Sequence, residues 1–166
     1  MEYLKALHAV DSHCQNSYAC TNGAARGGHF ATLVWLHQNN YRLEYRACVE
    51  AAKGGHQEII VWLKSKGLKL DRRCAEAAAK GGHLEILKMA SKYMDDKTLV
   101  KAAEGGHVHI LDWLHPQYHR YQTKPLMEKA AEMGRTNVLQ WAKNNSGMYW
   151  DLRSVHWLQE VGTWKR

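Results

Sequence analysis

The chain has 166 residues, 45% apolar and 23% charged, a balance that excludes an intrinsically disordered polymer. Its formal net charge of +7 divides into +4 up to residue 83 and +3 beyond it, which excludes a basic tail or block. No apolar run approaches the roughly eighteen residues that a membrane helix needs. Two prolines, one phenylalanine and an abundance of Ala, Leu, Lys and Glu between glycine-marked breaks predict an all-α chain.

Residues 1–15 open with "MEYLKALHAVDSH", which is amphipathic but has neither a basic n-region nor a small-residue cleavage site. They read as an N-terminal cap rather than a signal peptide. An intracellular, cytoplasmic setting follows as the expectation, with Cys14, Cys20, Cys48 and Cys74 as reduced thiols.

From there one phrase recurs: "AARGGHFATLVWLH" (24–37), "AAKGGHQEIIVWLKSKG" (51–67), "AAAKGGHLEILKMASK" (77–92) and "AAEGGHVHILDWLH" (102–115). The anchors His29, His56, His83 and His107 are spaced by 27, 27 and 24 residues, and Arg135 takes the place in a fifth copy 28 residues on. Self-similarity at such a period marks a repeat protein. Five units are expected, at about 16–42, 43–69, 70–94, 95–120 and 121–147, with a C-terminal capping half-unit at 148–166.

Within each unit, a first helix runs to the Ala-Ala and a second begins at the histidine. Apolar residues three, four, six and seven places after the anchor form one buried face, as in Ile59, Ile60, Trp62 and Leu63. The sixth place holds Trp35, Trp62, Met89, Trp113 and Trp141, which predicts a column of large side chains in a shared core. The second glycine of each pair is expected to take positive φ, with Gly67 ending a second helix the same way and Asp71 as an N-cap.

These motifs resemble the A-A-x-x-G-H-x-x-[VI]-[VL]-x-x-L-L-x-x-G core of the ankyrin repeat, through about residues 16–162. The T-P-L-H opening of that family is absent, with "RACVE", "RCAEA" and "KTLVK" in its place. The period is below the family's thirty-three or so residues, so the β-hairpin fingers are expected to be shortened to loops. The short period and the G-H-L-E-[VI]-L second helix are most similar to the ankyrin-type proteins of large DNA viruses of amoebae. The resemblance implies an ankyrin-like α-solenoid that binds a partner protein through its concave face and loops, with a host protein as the partner if the source is viral.

Each candidate for chemistry has a plainer alternative. Histidines repeating at the unit spacing cannot converge on one ion, so each is expected to bond nearby backbone at its helix start. The cluster His107, His109, His115 and His119 is interrupted by Pro116 and reads as exposed loop histidines rather than a metal site. Cysteines without C-x-x-C spacing read as small buried packing residues. No nucleophile–base constellation or phosphate loop is present, so neither an enzyme, a cofactor nor a metal is called for.

Recognition is expected instead from the residues that vary between units. Arg26, Lys53 and Lys80 follow the Ala-Ala in three units, where the next two carry Glu104 and Glu132. Arg46, Arg73 and Lys97 form a second row near the first-helix starts. Tyr45, Tyr118, Arg120 and Tyr121 add aromatic and basic anchors of the kind that dominate protein interfaces. The expected partner is a protein with an acidic contact surface, the chain itself being a monomer or weak oligomer. Nucleic acid is the alternative, using the same Arg/Lys rows with tyrosines stacking on bases.

Overall fold

A computed structural model describes residues 18–117 and 123–145; the expected caps at 1–15 and 148–166 lie outside them. Ten α-helices account for most of the described chain, which contains no strand. They fall into five pairs: α1 (Tyr18–Arg26) with α2 (Phe30–Gln38), α3 (Tyr45–Gly54) with α4 (Gln57–Ser65), and α5 (Arg72–Gly81) with α6 (Leu84–Met89). Then follow α7 (Asp96–Gly105) with α8 (Val108–Leu114), and α9 (Thr123–Glu132) with α10 (Thr136–Asn144). Among the described residues, the connections between pairs are loops or short 3₁₀ turns. No described helix is long and apolar enough to cross a membrane.

Glycine sets the turn inside each pair. Gly28, Gly55, Gly82 and Gly106 all have φ between 75° and 85°, a left-handed conformation that a side chain disfavours. Gly67 has φ 87° at the end of α4, as its position predicts. Asp71 caps α5 by accepting from the Cys74 amide at 3.0 Å, and Asp95 forms a reciprocal capping box with Thr98 at the start of α7.

The first helices pack on one another in succession, α1 on α3, α3 on α5, α5 on α7 and α7 on α9, far more extensively than the second helices do. Their Ala-Ala pairs make this possible, because Ala51, Ala52, Ala78, Ala79, Ala102 and Ala103 are completely buried and keep the backbones close. The second helices bury the third, fourth and seventh residues after each anchor, such as Ile59, Ile60 and Leu63, or Ile110, Leu111 and Leu114.

The sixth position departs from expectation. Trp35, Trp62, Met89 and Trp113 are only half-buried, and Trp141 alone of that set is buried. On a helix the sixth residue lies about 110° from the middle of the third-, fourth- and seventh-residue stripe, roughly 60° beyond its edge, so it packs against the rim of the core. Trp62 meets the Phe30 ring edge-on at 5.9 Å and the His37 ring at 5.5 Å, with the Lys66 ammonium over its face.

Cysteine placement also divides. Cys48 and Cys74 are buried, and burial pushes their thiols up to about 11 and about 12, whereas Cys20 is exposed. Cys20 faces outward, and Cys14 lies outside the described residues.

Candidate partner-binding surface

The repeated glycines and histidine form a joint between consecutive units. His56 Nε2 meets the Arg26 carbonyl at 2.9 Å, His83 Nε2 the Lys53 carbonyl at 3.2 Å, and His107 Nε2 the Lys80 carbonyl at 2.9 Å. Each imidazole N–H therefore donates to a carbonyl at the C-terminus of the preceding first helix, a group with no intrahelical partner. The backbone that the histidine serves is thus in the neighbouring unit rather than its own. In the fifth unit Arg135 Nε donates to the Glu104 carbonyl at 2.9 Å, the same bond from a longer side chain.

The histidines around Pro116 are engaged rather than loose. His107 takes part in the joint, His109 Nε2 reaches the Gly82 carbonyl at 3.1 Å, and the His115 ring stands edge-on to Trp141 at 5.7 Å. His109 is exposed as expected, but these residues lie on α8 or at its ends rather than in a loop, and α8 carries them against the preceding unit and α10. His119 lies outside the described residues, as do Tyr118, Arg120 and Tyr121 of the expected binding set.

The two basic rows have different fates. In the row after the Ala-Ala, Arg26 Nε faces the Glu50 carboxylate at 3.9 Å and Lys80 Nζ is 2.5 Å from Glu104. Lys101 completes that cluster at 2.6 Å from the other Glu104 oxygen. Hydrogen bonds from Lys101 and Lys80 hold the Glu104 carboxyl down to about 2, although it is only 7% exposed. Of this row, only Lys53 is exposed with no carboxylate of the described residues within ion-pair distance.

The row at the first-helix starts is left uncompensated. Arg46, Arg73 and Lys97 are all exposed, and none pairs with a carboxylate among the described residues. Arg73 instead donates to the Tyr45 hydroxyl at 2.7 Å and lies over the Tyr45 ring, its guanidinium carbon 5.3 Å from the centroid. Tyr45 remains 43% exposed, so the pair presents a fixed aromatic face beside a cation. Of the acids near the row, Asp71 caps α5, and Asp95 caps α7 and pairs with Arg72 at 3.2 Å, while Glu44 and Asp96 stand beside the row without forming an ion pair among the described residues.

Two features of the surface were not foreseen. A cleft of about 650 Å³ opens between α1 and α3, lined by Tyr18, Asn22, Arg26, Glu44, Arg46 and Glu50 among others. Asn22 Oδ1 and Glu50 Oε2 are buried beside it without a hydrogen-bond partner. An apolar hollow of about 710 Å³ lies over the second helices, around Phe30, Val61 and Trp62. The signal for the hollow is Val61, 52% exposed at a position where later units carry Lys88, Asp112 and Gln140. The cleft has no comparable signal, because it depends on which rotamers α1 and α3 leave between them.

No known protein-family model matches the sequence, and no curated protein matches it significantly.

Proposed function

We propose that the chain is an ankyrin-like α-solenoid that acts as a protein-binding module, using the exposed face and starts of its first helices. The carrying observation is the row Arg46, Arg73 and Lys97, exposed and unneutralised beside the exposed Tyr45. A fixed aromatic ring next to guanidinium groups supplies the anchor, and the row supplies attraction to an acidic partner. In the solenoid reading this face is concave, and the resemblance to viral ankyrin-type proteins makes a host-cell protein the natural partner.

Nucleic acid is the weaker reading. Arg26 and Lys80 spend their charge on Glu50 and Glu104, and Glu132 pairs with Lys129, so the face alternates in sign. A polyphosphate backbone is better served by a continuous basic track.

Affinity capture from cell lysate, comparing wild type with an R46E/R73E/K97E variant of verified helicity, tests the proposal. The expected result is a protein species retained by the wild type and lost by the variant. Equal retention by both would reject the face as the binding site. Retention of nucleic acid alone would replace protein binding with the weaker reading.

A further inference from the structure

The outward side of the second helices changes character along the chain. The fifth residue past each anchor is Val34, Val61, Lys88, Asp112 and Gln140 in turn. Lys88, Asp112 and Gln140 are exposed, as suits the solvent side of a surface helix. Val61 is exposed as well, at 52%, the highest value for any large apolar side chain among the described residues. It belongs neither to the core nor to the partly buried side chains packed on it. A single exposed valine needs no explanation, but this one borders the hollow of about 710 Å³ beside Phe30 and Trp62. Valine and the two rings make one continuous apolar surface.

The charges around that surface select what covers it. Gln57, Glu58, Val61, Lys64 and Ser65 are all exposed on α4. At about 100° per residue, the other four fall within about 60° of Val61 and share its face. Glu58 lies three residues before Val61, and Lys64 three residues after it. They are about 9 Å apart along the axis and on opposite edges of the face, too far to pair with each other. Neither forms an ion pair among the described residues. On α6, by contrast, Glu85 and Lys88 are spaced to pair within their own helix, at 2.8 Å. The face of α4 is thus acidic at one end, basic at the other and apolar in the middle.

Such a face is complementary to itself turned end for end. A two-fold axis through Val61 lays α4 of a second copy antiparallel on the first, with valine against valine. The same rotation sets Glu58 of each copy level with Lys64 of the other, so the charge pair forms twice. Gln57 falls level with Ser65 of the second copy, an amide facing a hydroxyl.

We propose that the chain associates with a second copy of itself through this face, as a closed two-fold dimer with α4 antiparallel on α4. The contact covers Val61 and the mouth of the hollow. It uses second helices, so it is independent of the basic row on the first helices, and the dimer presents two such rows to a multivalent partner. A seam of this size is smaller than a standard interface, so association depends on concentration.

Sedimentation velocity of the full chain over a concentration series tests the dimer. Salt of about 0.15 M, with a Debye length of about 8 Å, limits the general repulsion between two molecules of charge +7. The weight-average mass should rise from one copy towards two. V61K, of verified helicity, introduces the residue that the third unit already carries as Lys88, and it should stay at one copy throughout. E58K and K64E each turn two attractive pairs into repulsive ones, and each should weaken association roughly tenfold. The double variant E58K/K64E rebuilds both pairs in reverse and should recover wild-type association. R46E/R73E/K97E should associate as the wild type does.

A wild-type mass of one copy at every concentration would overturn the dimer. Undiminished association of V61K, or its loss in R46E/R73E/K97E, would move the contact off this face. E58K raises the net charge and K64E lowers it, so weakening by the first with strengthening by the second would replace specific pairing with general repulsion. Failure of the double variant to recover would reject the antiparallel seam. Masses climbing past two copies would replace the closed two-fold with a head-to-tail contact.

Discussion

Two glycines and a histidine meet one requirement at each joint, which is to satisfy a helix-end carbonyl from the next unit while keeping the backbones close. A Cβ added to Gly54 would stand 2.5 Å from the Arg26 carbonyl oxygen and 2.6 Å from the His56 ring. A Cβ on Gly55 would meet the His83 ring at 2.5 Å as well as the strain of φ 81°. Gly54→Ala is therefore expected to cost more than the usual benefit of alanine in a helix, about 1–3 kcal/mol net, read from the denaturant midpoint. The fifth unit supplies the internal contrast, since Met133 replaces the first glycine where Arg135 replaces the histidine. The longer arginine reaches the Glu104 carbonyl without placing a ring against that Cβ, so Met133→Gly should not stabilise the chain. His83→Ala strands the Lys53 carbonyl, and a loss of about 1–2 kcal/mol is expected. Thiol reactivity checks the same scale differently. Mass-spectrometric mapping of alkylation should find Cys20 modified in the folded chain and Cys48 and Cys74 protected until it unfolds.

At the scale of the helix, the deepest side chains are those three, four and seven residues past the anchor. Leu63 is fully buried and Trp62 half-buried, so Leu63→Ala should cost about 2–5 kcal/mol. Trp62→Ala should cost about 1–3 kcal/mol, chiefly from contacts with Phe30 and His37, and the order of the two unfolding midpoints tests it. The helix pairs, their turns and the cap at Asp71 were legible because each rests on local chemistry: apolar periodicity, positive-φ glycine and a side chain within reach of its own helix. Relations between units were legible only in part. Periodicity identified the sixth position as apolar but could not say how closely second helices approach, and so over-buried the tryptophans. The histidine's role as a bridge needed the neighbouring carbonyl to be placed. The two basic rows looked equivalent in sequence, and only packing distinguished the row spent on Glu50 and Glu104 from the row left exposed. Glu104 read as the point where the first basic row turns acidic, yet its carboxylate is occupied by Lys80 and Lys101.

For the molecule as a whole, these paired groups set how stability responds to acid. The Glu104 carboxyl falls from 4.5 to about 2 on folding, because Lys101 and Lys80 hydrogen-bond its ionised form. A lowered carboxyl binds fewer protons in the folded state, so its contribution is complete above about pH 4.5 and disappears as pH falls towards 2. With Lys80 half-exposed, that contribution is about 1–3 kcal/mol. His107 acts in the same sense at higher pH. Burial lowers its pKa from 6.5, opposed by its bond to the Lys80 carbonyl and reinforced by His109, His83 and Arg135. Stability from its neutral form is present above pH 6.5 and is lost as pH falls below that value. Denaturant midpoints taken from pH 8 to pH 3 should decline in two stages, a shallow one beginning near pH 6.5 and a steeper one below about 4.5. Glu104→Gln should lower the neutral-pH midpoint and remove most of the steep stage while leaving the shallow one. If the steep stage survives that substitution, the acid response belongs to other carboxylates. The joint between the third and fourth units would then be held against acid by its alanines, by His107 and His109, and by the Arg72–Asp95 pair.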